Sequence, residues 1–420
     1  MKFSDHSTLM SEVKRAKVIS GLILLLGLTA NGPLALAQSV ITASPAVSNL
    51  PATLVRTPPS DSAPAASTGD SPFHWDVVTL RPHLAYRFLH GDGILSAPGQ
   101  TSSTSIQSIS PGLLLNIGDH WNLDYTATKT YYSDSNFKDT LDHAVNLVGG
   151  ATLSDWVVQL SQNYSSTSPT LVETARQTKE KVYSASFSAV HSIGVRSQTD
   201  TSLTYQARTS ASYPNSRDSN IEERLHYNLS DRLDSSAGLG FGRTNLSVGS
   251  DMTHYQPSLR LNWKIADKVA AELQAGYEIR KFDSGGLNDL KTPTFGASLH
   301  YQAFPTTSIS AGASRGVSAS LFENQATRFT GWNLDLQQRL LQKFYLGLSY
   351  TGQKSTYVST APGVVAGRDD QTYTFTARLS TVFFQRATAA IFYQNAHNST
   401  NRNGFGFTSS QSGLELSYRF

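Results

Sequence analysis

The sequence predicts an all-β fold: a transmembrane, antiparallel, up-and-down β-barrel of about 18 strands, with 16 as the alternative count. Three observations carry this. Apolar and polar residues alternate with period 2 through most of the chain, which puts the two sets on opposite faces of strands. Short turns recur at nearly even spacing and alternate with longer polar segments. Beyond a leader segment, no stretch approaches the roughly 20 apolar residues that a spanning helix needs. With a mean hydropathy of −0.27, residence in a membrane has to come from strands with unlike faces.

The first 37 residues read as a signal peptide. Lys14, Arg15 and Lys17 precede an apolar run from Val18 to Ala30, and Ala35-Leu36-Ala37 supplies an A-x-A cleavage site. The apolar core is too short for an anchor, and the long charged lead leaves Met1 and Met10 both open as the start. Residues 38–73 follow as a Pro/Ala/Ser-rich periplasmic arm. From Ser39 to Pro72 there is no apolar periodicity, so the segment cannot bury enough surface to order itself. A plain spacer is the simplest reading, and a peptide that plugs the pore or binds a partner is the rival. The barrel domain is expected over 74–420.

Composition excludes several classes. There is no cysteine, hence no disulfide, thiolate metal site or cysteine nucleophile. Formal charge is +3, and the leader takes away four basic and two acidic residues, leaving +1. That balance suggests no nucleic-acid partner.

The turns centre on Asp119, Ser154-Asp155, Ile193, Asp231, Asp267, Pro305, Gln342 and Gln385. Each is flanked by alternating strands of roughly 9 to 14 residues, and connections this short make hairpins of fixed register. Across the Asp267 turn, that register sets Asn262 opposite Glu272 and Arg260 opposite Gln274, with Arg260 diagonal to Glu272. Longer polar segments lie near 91–102, 133–140, 165–177, 209–219, 246–253, 283–292, 318–326, 355–369 and 396–404. Short connections at one end and long ones at the other suit periplasmic turns and extracellular loops. Closure is required, because an open edge in hydrocarbon leaves backbone groups unpaired.

The apolar face is built of Leu, Val, Ala and aromatic residues. Trp121, Trp156, Trp263, Phe344 and Phe383 stand beside short turns and are expected to form the periplasmic aromatic girdle. The other face holds Arg87, Asp124, Arg260, Lys264, Glu272, Glu278, Arg280, Asp335, Arg378, Glu415 and Arg419. A charge at lipid depth would cost roughly 2 to 4 kcal/mol, so these side chains are expected to line the lumen. Mixed signs predict weak ion selectivity.

No phosphate loop and no His-Glu-x-x-His motif occurs. Asp139, Asp142 and His143 cluster beside one loop, and Asp369-Asp370 and Asp283 with Asp289 are acidic pairs; solvated loops explain all of them more simply than catalysis or calcium. No catalytic residue, metal or cofactor is expected, and the chain is not read as an enzyme.

The C-terminal strand carries the first resemblance. Leu414, Leu416, Tyr418 and Phe420 alternate with Glu415, Ser417 and Arg419. The pattern Gln411-x-Gly413-x-x-Leu416-x-Tyr418 with a final Phe420 resembles the assembly signal of bacterial outer-membrane barrels. It implies insertion by the barrel-assembly machinery into outer-membrane lipid of a Gram-negative-type cell. Signal, arm, strand count and aromatic end together resemble the porin type 2 group of outer-membrane β-barrels, with Leu171-Val172-Glu173-Thr174 the local string that looks alike. That group includes barrels accompanying exopolysaccharide export and implies no catalytic residues.

The expected function is a channel or export barrel passing polar solutes, or a saccharide chain, through a hydrophilic lumen, with Ser165 to Gln177 the best candidate for a constriction. The alternative is a structural or partner-binding barrel without an open pore, serving polysaccharide or periplasmic export components. A surface hydrolase is the least favoured reading.

Overall fold

The computed structural model describes residues 73–420 apart from 119, 284–288, 362, 365 and 385. The signal segment and the arm up to residue 72 lie outside these described residues, as do Asp119 and Gln385 at two of the expected turns. Strands β1 (Phe73–Trp75) and β2 (Val78–Ala97) lead into β3 (Gln100–Ile117), β4 (Trp121–Tyr132), β5 (Thr140–Leu153) and β6 (Trp156–Thr167). A small hairpin of β7 (Thr170–Leu171) and β8 (Arg176–Gln177) comes next. The wall resumes with β9 (Glu180–Ser192), β10 (Ser197–Ser210), β11 (Ser216–Ser230), β12 (Leu233–Leu246), β13 (Met252–Ala266) and β14 (Val269–Phe282). It continues through β15 (Leu290–Phe304), β16 (Thr307–Ala319), β17 (Gln325–Leu340) and β18 (Phe344–Ser359). Strands β19 (Asp369–Phe383), β20 (Ala387–Thr400) and β21 (Phe407–Arg419) complete it.

Leaving aside β1, β7 and β8, 18 strands form one antiparallel ring. It closes where β2 pairs with both β3 and β21, with Arg87 opposite Glu415 and Leu84 opposite Tyr418. The edge of β2 below the end of β21 is not left bare. The Phe420 amide donates to the Pro82 carbonyl at 2.9 Å, and β1 pairs beneath it, Trp75 opposite Val78 and Phe73 opposite Leu80. An unsatisfied strand edge is thereby removed at the seam.

All eight short connections fall where the turn signals stand, between strands that end and restart within four intervening residues. The opposite ends differ from expectation. Strands run 12 to 20 residues in the ring, and 91–102 is no loop: β2 and β3 run through it to a tight turn at Pro98 and Gly99. There Gly99 takes a φ of 75°, which glycine adopts without strain. The physical reason is that the register shifts twice here, between Gly91 and Ile94 and between Leu95 and Ala97. Successive residues Ile94 and Leu95 are both buried, so no period of two shows, yet cross-strand pairing with β3 continues.

Two apolar clusters sit inside the ring. One holds Leu89, Ile94, Ile106, Phe137 and Phe392; the other holds Leu95, Val172, Ala175, Ala396, Phe405 and Phe407. Both lie toward the long-loop end, so packed side chains fill the sector around β2, β3, β20 and β21.

Candidate functional site

On β13, Tyr255, Leu259 and Trp263 are exposed on the outside, so the pleat turns Ser258, Arg260 and Asn262 inward. Across the Asp267 turn Asn262 stands opposite Glu272 and Arg260 opposite Gln274, the register the turn length predicts. Arg260 Nε lies 3.4 Å from Glu272 Oε1, and its Nη2 donates to Gln274 Oε1 at 3.4 Å. Further along β14, Arg280 pairs with Glu278 and donates through Nη2 to the Val317 carbonyl at 2.7 Å.

The other inward charges are gathered elsewhere. Glu415 pairs with Arg378 and takes Arg87 Nε at 3.3 Å, while the Arg87 guanidinium lies 4.4 Å from the centre of the Phe392 ring. Asp335 accepts from Ser349 Oγ and Asn333 Nδ2, each at 2.6 Å. His83 Nε2 is 3.0 Å from Asp124 Oδ1. Arg419 shares the inner face of β21 with Glu415, at the short-turn rim. Two groups result: Arg260, Glu278 and Arg280 border an open cavity, whereas Arg87, Arg378 and Glu415 form a knot near the seam.

That cavity measures about 390 Å³ and is bordered by Asp200, Arg208, Glu222, Arg224, Arg260 and Arg280 among others. Arg224, only 2% exposed, is an inward charge that sequence reasoning passed over, as are Asp200, Arg208 and Glu222. Arg224 pairs with Glu222 and donates to Ser258 Oγ at 3.0 Å. Opposite it, Gly238 supplies room: a β-carbon there would come within 3.2 Å of Arg224 Cζ and of Glu222 Oε1. The signal was present, since Ile221, Leu225 and Tyr227 alternate with Glu222, Arg224 and His226.

The mouth above this cavity is crossed by residues 168–179, between β6 and β9. Thr170 to Ala175 are all buried. Glu173 accepts from Ser320 Oγ at 2.6 Å and from the Leu321 amide at 2.7 Å. The Arg368 guanidinium donates to the carbonyls of Glu173 at 2.7 Å and Val172 at 3.0 Å. Arg208 reaches the Ser320 carbonyl at 3.3 Å. Ser320 and Arg368 belong to the β16–β17 and β18–β19 connections, on the far side of the ring from β6, so this segment spans the opening. Arg368 is itself held between rings, 3.7 Å from Phe405 and 4.9 Å from Tyr357, and is paired with Asp370. Burial pushes the Glu173 carboxyl above its ordinary value, against the pull of Arg208 and Arg368.

Asp142 and His143 are successive residues of β5 and therefore point to opposite faces. Asp142 lies near Thr140 Oγ1, whereas His143 Nδ1 is 3.0 Å from the Tyr125 hydroxyl. They make no catalytic pair, and Asp139 is occupied by the Tyr132 amide. Asp369 and Asp370 diverge in the same way, toward Thr356 and Arg368. Asp283 is 2.8 Å from Arg243 Nη2. No group of three or more metal-binding side chains occurs among the described residues.

Outside, Trp156, Trp263, Phe344 and Phe383 are exposed beside the short turns, and Trp156 stacks on His191 with ring centres 4.3 Å apart. Trp121 opens β4 at the same end. Leu416, Tyr418 and Phe420 are exposed on the outer face of β21. Gly413 is required sterically, because a β-carbon there would run into the backbone of Phe88 and Leu89.

Residues 250–420 match the model of a family described as "Putative beta-barrel porin 2". No curated protein matches this sequence. Among solved structures, Pseudomonas aeruginosa OccK2 (OpdF) in complex with glucuronate is 12% identical, with 81% of this chain and 98% of that one covered at a TM-score of 0.45. P. aeruginosa OccK11 (OpdR) is 13% identical over 81% and 96%, at 0.42. Acinetobacter baumannii OccAB3 is 8% identical over 81% and 99%, at 0.43. From β13 to β21, half of its closed wall, this chain thus carries the sequence pattern of porin 2 β-barrels.

Proposed function

We propose that this chain is a porin-like channel of the outer membrane that passes small polar solutes along one side of its lumen, beneath a constriction formed by residues 168–179. The carrying observation is the cavity of about 390 Å³, lined by polar and charged side chains, inside a closed ring whose mouth is spanned by a pinned segment. Opposite charges are paired along the wall, as in Arg260 with Glu272 and Arg280 with Glu278, so discrimination by charge is weak and size governs passage. The reading is non-enzymatic: passage needs no reacting group. Insertion by the barrel-assembly machinery through the β21 end belongs to the same proposal, and a saccharide is one solute class that the hydroxyl-rich wall would accept.

A second reading, a scaffold with no open pore serving an export apparatus, is favoured by the apolar clusters packed into the mouth. Planar-bilayer recording on refolded protein separates the two. The channel reading expects discrete steps that enlarge when 168–179 is replaced by a short Gly/Ser linker. Silence from both proteins supports the scaffold instead.

A further inference from the structure

The outer face of the wall carries an acidic group, Glu223, among apolar neighbours. Ile221, Leu225 and Tyr227 place the odd-numbered residues of β11 outside, and Glu223 is among them. Its neighbours along the strand, Ile221 and Leu225, are 43% and 55% exposed, and Leu239 opposite it on β12 is 70% exposed. A carboxyl group in such company meets acyl chains, where charge is penalised. On its other side it faces Thr201 of β10, also outward, whose Oγ1 donates to Glu223 Oε2 at 2.5 Å. No other hydrogen-bond donor to Glu223 is found among the described residues.

We infer that the outer wall from β9 to β12, centred on Thr201 and Glu223, is a lateral interface with a second copy of this chain. Two barrels inserted the same way up can be related by a two-fold axis along the membrane normal, and the contact is then isologous. An isologous contact requires each surface to hold both halves of every interaction. Thr201 and Glu223 meet that requirement: a donor and an acceptor side by side on adjacent strands. An axis between β10 and β11 lets each hydroxyl exchange its own chain's carboxyl for the other copy's. The same rotation sets the β12 side, with projecting Leu239, against the β9 side, where Ala189, opposite Thr201, leaves the wall low beside Phe187. Small residues and interhelical-type polar bonds, rather than greasiness, drive association within lipid. A foreign protein has no reason to demand both halves on one patch.

The chain has no cysteine, so single substitutions report directly. Leu203→Cys, on β10 beside the axis, is compared with Leu334→Cys on the exposed outer face of distant β17. Both are treated in native membranes with a short bifunctional maleimide. The expected result is a band of twice the chain mass from Leu203→Cys and little from Leu334→Cys. Adding Glu223→Leu, or separately Thr201→Val, should lower the Leu203→Cys yield to the control level. Heat-modifiable gel migration verifies that every variant is folded. Equal yields at the two positions, an undiminished dimer after both outer-face changes, or cross-linking to a protein of different mass would each overturn the interface.

Discussion

Arg368 donates to the backbone carbonyl of Glu173 at 2.7 Å, although their connections spring from strands on opposite sides of an 18-strand ring. The contact is what holds the constriction across the mouth. Its guanidinium also satisfies Val172 and Asp370 and is sandwiched by two rings, so one side chain ties together three connections, β6–β9, β18–β19 and β20–β21.

Replacing Arg368 by Ala should release the segment. Removing one member of a buried ion pair costs about 3–5 kcal/mol, and Asp370 would be left unpaired. Single-channel recording should find conductance about twofold higher or more, because a loop held by several kcal/mol becomes free. Arg368→Lys keeps the charge but loses the forked donation to two carbonyls, and should give an intermediate value.

Acid should hold the constriction in place and lower conductance. Burial raises the Glu173 carboxyl above its ordinary value of 4.5 in the pinned arrangement, so that arrangement binds its proton more tightly than the released one. Pinning is therefore strongest at low pH and is lost as pH rises through the raised value. Open probability should fall on acidification in the window above 4.5. Glu173→Gln mimics the protonated form, and should keep the constriction closed while flattening the pH profile. A profile unchanged by Glu173→Gln would assign the pH response to another group.

Reversing Arg260 and Arg378 to Glu should move the reversal potential in a salt gradient toward cations. Each change also takes an arginine away from an existing carboxylate, Glu272 and Glu415 respectively, so the wall turns more acidic at both places. An unchanged potential would count against these arginines facing the conduction path.

Gly238→Leu places a side chain where Arg224 and Glu222 now pack. Overpacking of this kind costs about 1–3 kcal/mol. Urea unfolding of the refolded protein should detect that loss, and recording should show smaller steps as the cavity narrows. Gly363→Leu, at a position with nothing within 4 Å, is the spatial control, although its φ of 77° carries a backbone strain of its own.

Much of the wall was legible because a bilayer writes on both faces. Around Asp267, apolar Leu259, Leu261 and Trp263 against polar Arg260 and Asn262 left one register, and the turn length did the rest. The segment Ser165 to Gln177 was recognisable as a constriction candidate from its place between strands. Its anchors were not. Arg368 lies about two hundred residues from Glu173 in the chain, and no local pattern encodes a contact made by ring closure. Nor did periodicity flag Glu223, whose position on the outward set of β11 only becomes unusual once Leu239 and Thr201 are seen beside it. The strand ends at 91–102 differ from expectation because two register shifts, with Ile94 and Leu95 buried in succession, erase the period.

The most direct measurement of the central claim is a cysteine scan along β13 in intact outer membranes, one substitution at a time from Pro257 to Asn262. A sealed barrel with a wet interior predicts strict alternation. Ser258→Cys, Arg260→Cys and Asn262→Cys should react with a small water-soluble maleimide, and Pro257→Cys, Leu259→Cys and Leu261→Cys only with a lipid-dwelling reagent. Uniform labelling along the strand, or reaction of both sets with the water-soluble reagent, would contradict the account.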